Sequence, residues 1–170
     1  MKQRLATRIQ NLADGNFLWI DLVLEELFDC HTEEGMNRFL ELLPPGLERT
    51  FERMAKSLMS NWNALDEQLA MATFKWATCS ISPLNIQQMS GALGPQGEDL
   101  LDLEGSIRRA CGNFIEVDGA CRITLVHHTA REDLTAGRSL SIHPSDSHKE
   151  LLLRCLSCLQ AQNIGAEKRG

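Results

Sequence analysis

The chain has 170 residues, is 43% hydrophobic and carries a net charge of -6, so it is long enough to bury a core. Residues 1–100 hold 8 basic and 14 acidic side chains, residues 101–170 hold 9 of each, and no polybasic tract occurs; nucleic-acid binding, which needs clustered cations against phosphate, starts from an unfavourable balance. The most apolar stretch, Phe17 to Phe28, is interrupted by Asp21, Glu25 and Glu26 and is too short and too charged to span a bilayer.

Six cysteines, Cys30, Cys79, Cys111, Cys121, Cys155 and Cys158, are present. The polar start, Met1 to Gln10, lacks the apolar run of a signal peptide. Most of the cysteines fall in apolar periodic segments, so buried thiols in a reducing, cytoplasmic setting is the simpler reading than a disulfide framework.

In chain order, Arg4 to Phe28 predicts one long helix, with Phe17, Ile20, Leu24 and Leu27 sharing one face at helical spacing. Asp21, Glu25 and Asp29 line another face, read as solvated rather than as a docking stripe for a basic partner. A helix from Glu33 to Leu42 has Thr32 as N-cap and Pro44-Pro45 as its stop, and Leu47 to Met59 gives a third. Asn63 caps a helix over Ala64 to Cys79, with Asp66 at its third position. Ser82-Pro83 predicts the start of a helix that ends at Gly94-Pro95. Gln96 to Asp102 reads as loop, and Leu103 to Cys111 as a helix stopped by Gly112.

The period then changes. Phe114 to Val117 and Ala120 to Val126 read as strands joined by Asp118-Gly119, the strongest short-range hairpin signal. Helix resumes over Thr129 to Ala136, with Thr129 and Glu132 as a capping-box pair. A polar link, Gly137 to Pro144, leads to a helix over Asp146 to Ala161 whose stripe is Leu151, Leu152, Cys155, Leu156 and Leu159. Three short helices followed by a two-stranded wing make a winged helix. The expected fold is mainly α: a helical segment (1–60), a winged-helix domain with one β-hairpin (61–136), and a linker with a closing helix (137–170).

Common catalytic signatures are missing from the sequence: the phosphate-cradling P-loop, the G-x-S-x-G elbow, G-x-G-x-x-G, H-E-x-x-H and the EF-hand loop. His127, His128, Glu132 and Asp133 cluster, but no nucleophile or ligand set accompanies them, so no enzyme is expected. His127 shares strand parity with Cys121, Ile123 and Leu125, which places it on the inner face at the strand–helix junction; an inward histidine is more often a satisfied core residue than a functional one. Cys155 and Cys158, with His148 two turns earlier, lack the further ligands of a zinc site and read as core thiols. Trp19, Trp62 and Trp76 read as core aromatics. Winged helices often bind DNA through their third helix, and here that helix carries only Arg108 and Arg109. Residues 64–136 hold 5 basic and 10 acidic side chains, a field opposed to DNA. A protein-contacting module is the preferred reading, and a stand-alone DNA-binding winged helix the alternative.

These residues resemble a known family. Gly15-Asn16-Phe17-Leu18-Trp19 with Leu22 to Leu27, Leu43-Pro44-Pro45-Gly46-Leu47 with Phe51 to Met54, Trp76 to Cys79 with Pro83-Leu84, and Cys111 to Phe114 with Leu125 to Glu132 look like the late NACHT region of fungal NOD-like (STAND) signalling ATPases. His148 with Cys155 to Leu159 closes a resemblance over about residues 6–160. Its later part is similar to the winged-helix unit of GPI inositol-deacylase type, a label that implies no deacylase activity. The resemblance implies a non-catalytic module that packs on a NACHT nucleotide-binding domain and holds the resting state. It also implies effector and C-terminal repeat partners, with no nucleic acid and no membrane, and a chain that is a middle segment of a receptor. ADP or ATP is expected only with the nucleotide-binding domain. In related ATPases a His at the end of the wing strand, within Met-His-Asp or Val-His-Asp, contacts the β-phosphate; Val126-His127-His128 resembles that motif, with His128 in place of the Asp. Asp133 stands where the family has an apolar residue. Gly15 to Leu18 is similar to the Gly-Leu-Pro-Leu segment near the adenine in plant relatives, with Phe17 in place of Pro, so Gly15 and Phe17 are the adenine-proximal candidates.

Overall fold

The computed structural model describes residues 2–13, 15–28, 30–43, 46–138 and 140–167. It divides into two units, Met1–Ala55 and Lys56–Gly170. The first holds α1 (Lys2–Ala13), α2 (Phe17–Phe28), α3 (Glu33–Leu42) and the start of α4 (Leu47–Asn61).

The single helix expected over Arg4 to Phe28 is two helices. Gly15 takes a φ of +80°, which a continuing helix cannot use, and the Asn16 carboxamide accepts from the Trp19 N–H at 3.0 Å to start α2 afresh. The restart also turns α2. Its buried side chains are Trp19, Leu22, Val23 and Leu27, whereas Phe17 is 83% exposed and Leu24 lies on the surface. Trp19 carries the largest apolar area of the segment, and it sets the face that is buried. Asp21 and Glu25 are exposed as expected; Asp29 and the Pro44-Pro45 stop lie outside the described residues. Ile9, Ala13, Trp19, Val23, Leu27, Leu40 and Leu43 form the core of this unit. Thr32 caps α3 through the Gly35 N–H at 3.0 Å. Arg53 on α4 forks onto both oxygens of Glu26 at 2.6 and 2.8 Å and lies 4.9 Å over the Phe39 ring, joining a bidentate pair to a cation–π contact.

The second unit opens with a capping box. Asn63 accepts from Leu65 and Asp66, and Asp66 answers the Asn63 N–H, starting α5 (Ala64–Cys79). The next helix does not start at Ser82-Pro83. Asn85 and Gln88 form a second capping box, so α6 runs Ile86–Leu93 and ends at Gly94, φ +65°. Pro83 and Leu84 stay outside the helix, and the Leu84 carbonyl accepts from Ile123 at 2.8 Å. Pro95 sits at the first position of a one-turn helix, α7 (Pro95–Glu98), which takes up the start of the loop expected over Gln96 to Asp102. Helix α8 (Leu103–Cys111), capped by Asp102, ends at Gly112 at φ +52°, where a Cβ would meet Leu58 at 2.9 Å.

Strands β1 (Ile115–Val117) and β2 (Ile123–Leu125) pair antiparallel, with Glu116 opposite Thr124. The connection is longer than the two-residue Asp-Gly turn expected. Cys121 N–H bonds to the Asp118 carbonyl at 2.9 Å, Asp118 N–H bonds to the Arg122 carbonyl at 3.1 Å, and the left-handed residue is Cys121, φ +58°. This is a type I turn followed by a left-handed bulge, a three-residue loop. Asp118 holds it by accepting from the Ala120 and Arg122 N–H groups at 2.8 and 3.0 Å. Its carboxyl lies below the usual range because it accepts from the Arg122 backbone and side chain. A bridge between Asn85 and Arg122 supplies the winged helix's third strand in its shortest form.

Phe74 of α5 meets Phe114 edge-on, centroids 5.6 Å apart at 73°, and both rings are fully buried with Ile107, Ile123 and Leu134. Helix α9 (His128–Thr135) and the long α10 (Pro144–Glu167) complete the unit. Asp133 is buried on α9 and lies 3.5 Å from the Arg138 Nε. In α10 Pro144 takes the first position, and Leu151 is buried. The rest of its expected stripe is on the surface: Leu152, Cys155, Leu156 and Leu159 are all exposed. Trp19 is buried, but Trp62 and Trp76 are only half-buried, and the Trp62 indole N–H donates to the Ala110 carbonyl at 2.8 Å.

The thiols depart from the expectation of a buried set. All six are unlinked; only Cys111 is buried, Cys121 and Cys155 are exposed and the others half-buried. Cys121 sits on the wing loop, and Cys155 on the open side of α10, where periodicity alone cannot say what covers a face. Among the described residues no helix is long and apolar enough to cross a membrane, and no cluster of three His, Cys, Asp or Glu is placed to hold a metal.

Candidate functional site

The wing strand ends at Leu125, two residues before His127. His127 is therefore not the last inward side chain of a strand but the N-cap of α9, with extended backbone at φ -160°, ψ 160°. Its Nδ1 accepts from the Thr129 N–H at 3.3 Å and lies 3.1 Å from the Thr129 hydroxyl. Thr129, expected as the cap, is the second residue of the helix instead, because the imidazole reaches its amide first. A ring nitrogen that accepts from an N–H carries no proton, so the neutral ring bears its hydrogen on Nε2.

His127 is half-buried rather than sealed in the core. It lines a groove of about 330 Å³ with His128 and Arg131 of α9, Thr124 and Leu125 of β2, and Ser80, Ile81 and Pro83 after α5. The two imidazole rings stand 3.9 Å apart, tilted by 43°. Arg131 projects from one turn further along α9, and its guanidinium donates to the Ala77 carbonyl at 3.3 Å, the open end of α5. Cys79 is half-buried nearby; burial pushes its thiol up, with a hydrogen bond from Ser147 and the Arg131 charge pulling it back. The groove thus gathers two imidazoles, a guanidinium and the N-terminal end of a helix, and no carboxylate is among its lining residues. Such a wall offers donors to an acceptor or an anion.

His127 and His128 are thus brought together. Gly15 and Phe17 sit at the α1–α2 turn of the first unit, both exposed, while the groove is lined entirely by the second unit. Sequence reading passed over Ser80 and Arg131 as site residues. For Arg131 the signal was there, four residues after His127 and so on the same side of the helix start; Ser80 is brought in only by the packing of α5 beside the hairpin.

The two arginines of the third helix, α8, are partly exposed and each is paired within the chain. Arg108 is held by Glu104 at 2.9 Å and by the Val117 carbonyl at 3.1 Å, and Arg109 by the nearly buried Asp66 at 3.2 Å. Cys155 is exposed on α10, while Cys158 is half-buried and directs its thiol to the Gly91 carbonyl at 3.7 Å; His148 is exposed.

Comparison with known proteins supplies one family. The model described as "GPI inositol-deacylase, winged helix domain" matches residues 56–142, from the second half of α4 through the hairpin and α9. No curated protein and no solved structure matches the chain. With the three helices, the hairpin and half of its length matched, the chain belongs to the GPI inositol-deacylase winged helix domain family.

Proposed function

We propose that this chain is a non-catalytic regulatory module of a NACHT-type signalling ATPase, acting in the cytoplasm by packing on a nucleotide-binding domain and holding it in the resting, ADP-bound state. The observation that carries the reading is the His127 groove. The Nδ1 cap leaves Nε2–H as the ring's donor in a groove shared with His128 and Arg131, the equipment a phosphate oxygen of a docked nucleotide would meet. ADP or ATP would be held mainly by the nucleotide-binding domain, since the phosphate cradle and its Lys are not in this sequence. Gly15 and Phe17, exposed at the α1–α2 turn, are proposed to lie toward the adenine side. The intramolecular pairing of Arg108 and Arg109 argues against the alternative of a DNA-binding winged helix.

The test is made in a receptor that carries this segment after its nucleotide-binding domain. A charge-assisted hydrogen bond contributes about 1.5–3 kcal/mol, so His127→Ala should loosen ADP roughly tenfold to a hundredfold and raise basal signalling. Unchanged ADP retention would remove the phosphate role from His127. Binding of the isolated chain to random duplex DNA, weakening steeply with salt, would favour the alternative instead.

A further inference from the structure

From the geometry at the start of α9 we infer that His127 is a proton-operated helix cap, which secures α9 when neutral and releases its first turn when protonated. The inference does not depend on any nucleotide. Among the described residues, the other side-chain caps are oxygens of Asn16, Thr32, Asn63, Asn85 and Asp102. Those amides, the hydroxyl and the carboxylate keep their acceptors at neutral and mildly acidic pH. The α9 cap is an imidazole nitrogen, the one common side-chain acceptor that ordinarily takes a proton between pH 5 and 8.

Protonation uses the Nδ1 lone pair that receives the Thr129 N–H. The new N–H can turn to the Thr129 hydroxyl, already 3.1 Å away, and the amide loses its cap. It also places a positive charge at the positive end of the α9 dipole. The titratable and charged groups around it come from α9, α5 and the hairpin. From α9 itself the neighbours are His128, 3.9 Å away ring to ring, and Arg131; Glu132 is exposed further along. From α5 the titratable neighbour is the Cys79 thiol. From the hairpin it is the exposed Glu116, opposite Thr124 in register. Protonation therefore removes the cap and places a charge at the start of the helix.

His127→Asn discriminates, because a carboxamide caps as well as any side chain and does not titrate there. Amide exchange in Arg131 to Leu134, corrected for intrinsic rates, would be followed from pH 8 to pH 5.5 in the full chain. Wild type should lose about fivefold in protection, the loss of one cap; His127→Asn should change less than twofold, and His128→Asn should keep the wild-type response. Long-range 1H–15N spectra at pH 8 should show the His127 hydrogen on Nε2. A hydrogen on Nδ1 at pH 8 would overturn the inference, as would equal pH responses in wild type and His127→Asn. If His127→Asn fails to fold, the tautomer and the wild-type profile decide alone: the hydrogen on Nε2 with falling protection supports the switch, and either one missing refutes it.

Discussion

The wing loop offers the sharpest check on how the hairpin is built. Asp118-Gly119 would place Gly119 in a left-handed turn position, yet the left-handed residue is Cys121 at φ +58°, and Gly119 is not among the glycines with positive φ. An L-residue held there costs about 1–2 kcal/mol. Glycine removes that cost but gives up about 0.5–1 kcal/mol of unfolded-state entropy. Cys121→Gly should therefore stabilise the winged-helix unit by about 0.5–1 kcal/mol net, a rise of about 2–4 °C in Tm per kcal/mol. Cys121→Ala keeps the strain and removes only an exposed thiol, so it should stay within about 0.5 kcal/mol of wild type. Gly119→Ala should be neutral or stabilising by about 0.4–1 kcal/mol, since an added Cβ there meets nothing within 4 Å. The measurements are thermal and urea melts by circular dichroism on the three variants. If Gly119→Ala is damaging and Cys121→Gly is no better than Cys121→Ala, the turn is the two-residue Asp-Gly type after all.

Two further outcomes follow from the core. Phe114→Ala deletes a fully buried ring and its edge-on contact with Phe74; it should cost about 3–5 kcal/mol, read as a lower urea midpoint with unchanged slope, and a loss under about 1 kcal/mol would mean the site collapses to fill the space. Cys111 is fully buried, and desolvation lifts its thiol to about 12, a hydrogen bond with Thr73 pulling the other way. Because its folded value lies above the unfolded one, its contribution is complete below about pH 9 and is lost as pH climbs toward 12, at up to about 1.4 kcal/mol per pH unit. Comparing Cys111→Ala with wild type over that range isolates the slope, and at pH 8 thiol reagents should modify Cys121 and Cys155 first and Cys111 only on unfolding.

What the sequence made legible is the chemistry that acts over one turn. Thr32, Asn63, Gly94 and Gly112 mark helix ends correctly because a cap or a left-handed stop is decided by neighbours three or four residues away. The winged-helix order followed from those ends and the change of period at Phe114. The failures have two causes. Some signals competed locally: Pro83 looked like a helix start until the Asn85–Gln88 box took it, and Thr129 looked like a cap until His127 reached the same amide. Others needed the third dimension. Periodicity finds a stripe on α10 but not whether anything lies against it, and Leu152, Leu156 and Leu159 stay in solvent. For the candidate site, the pair His127 and His128 was legible, while its wall, Ser80 from the end of α5 and Arg131 beside the rings, took shape only on packing.

Asn85 ties together parts that a sequence would treat as separate. Its carboxamide caps α6, its backbone bridges to Arg122 at the loop end of the wing, and the Ile86 N–H bonds to the Cys121 carbonyl at 3.0 Å. The hairpin and the front of α6 are thus one lever with Asn85 as its pivot. A partner that pushes on the wing tip does work on a capping box more than thirty residues earlier in the chain. Lifting the loop end of the wing away from α6 breaks two backbone hydrogen bonds, from Ile86 to Cys121 and from Ile123 to Leu84.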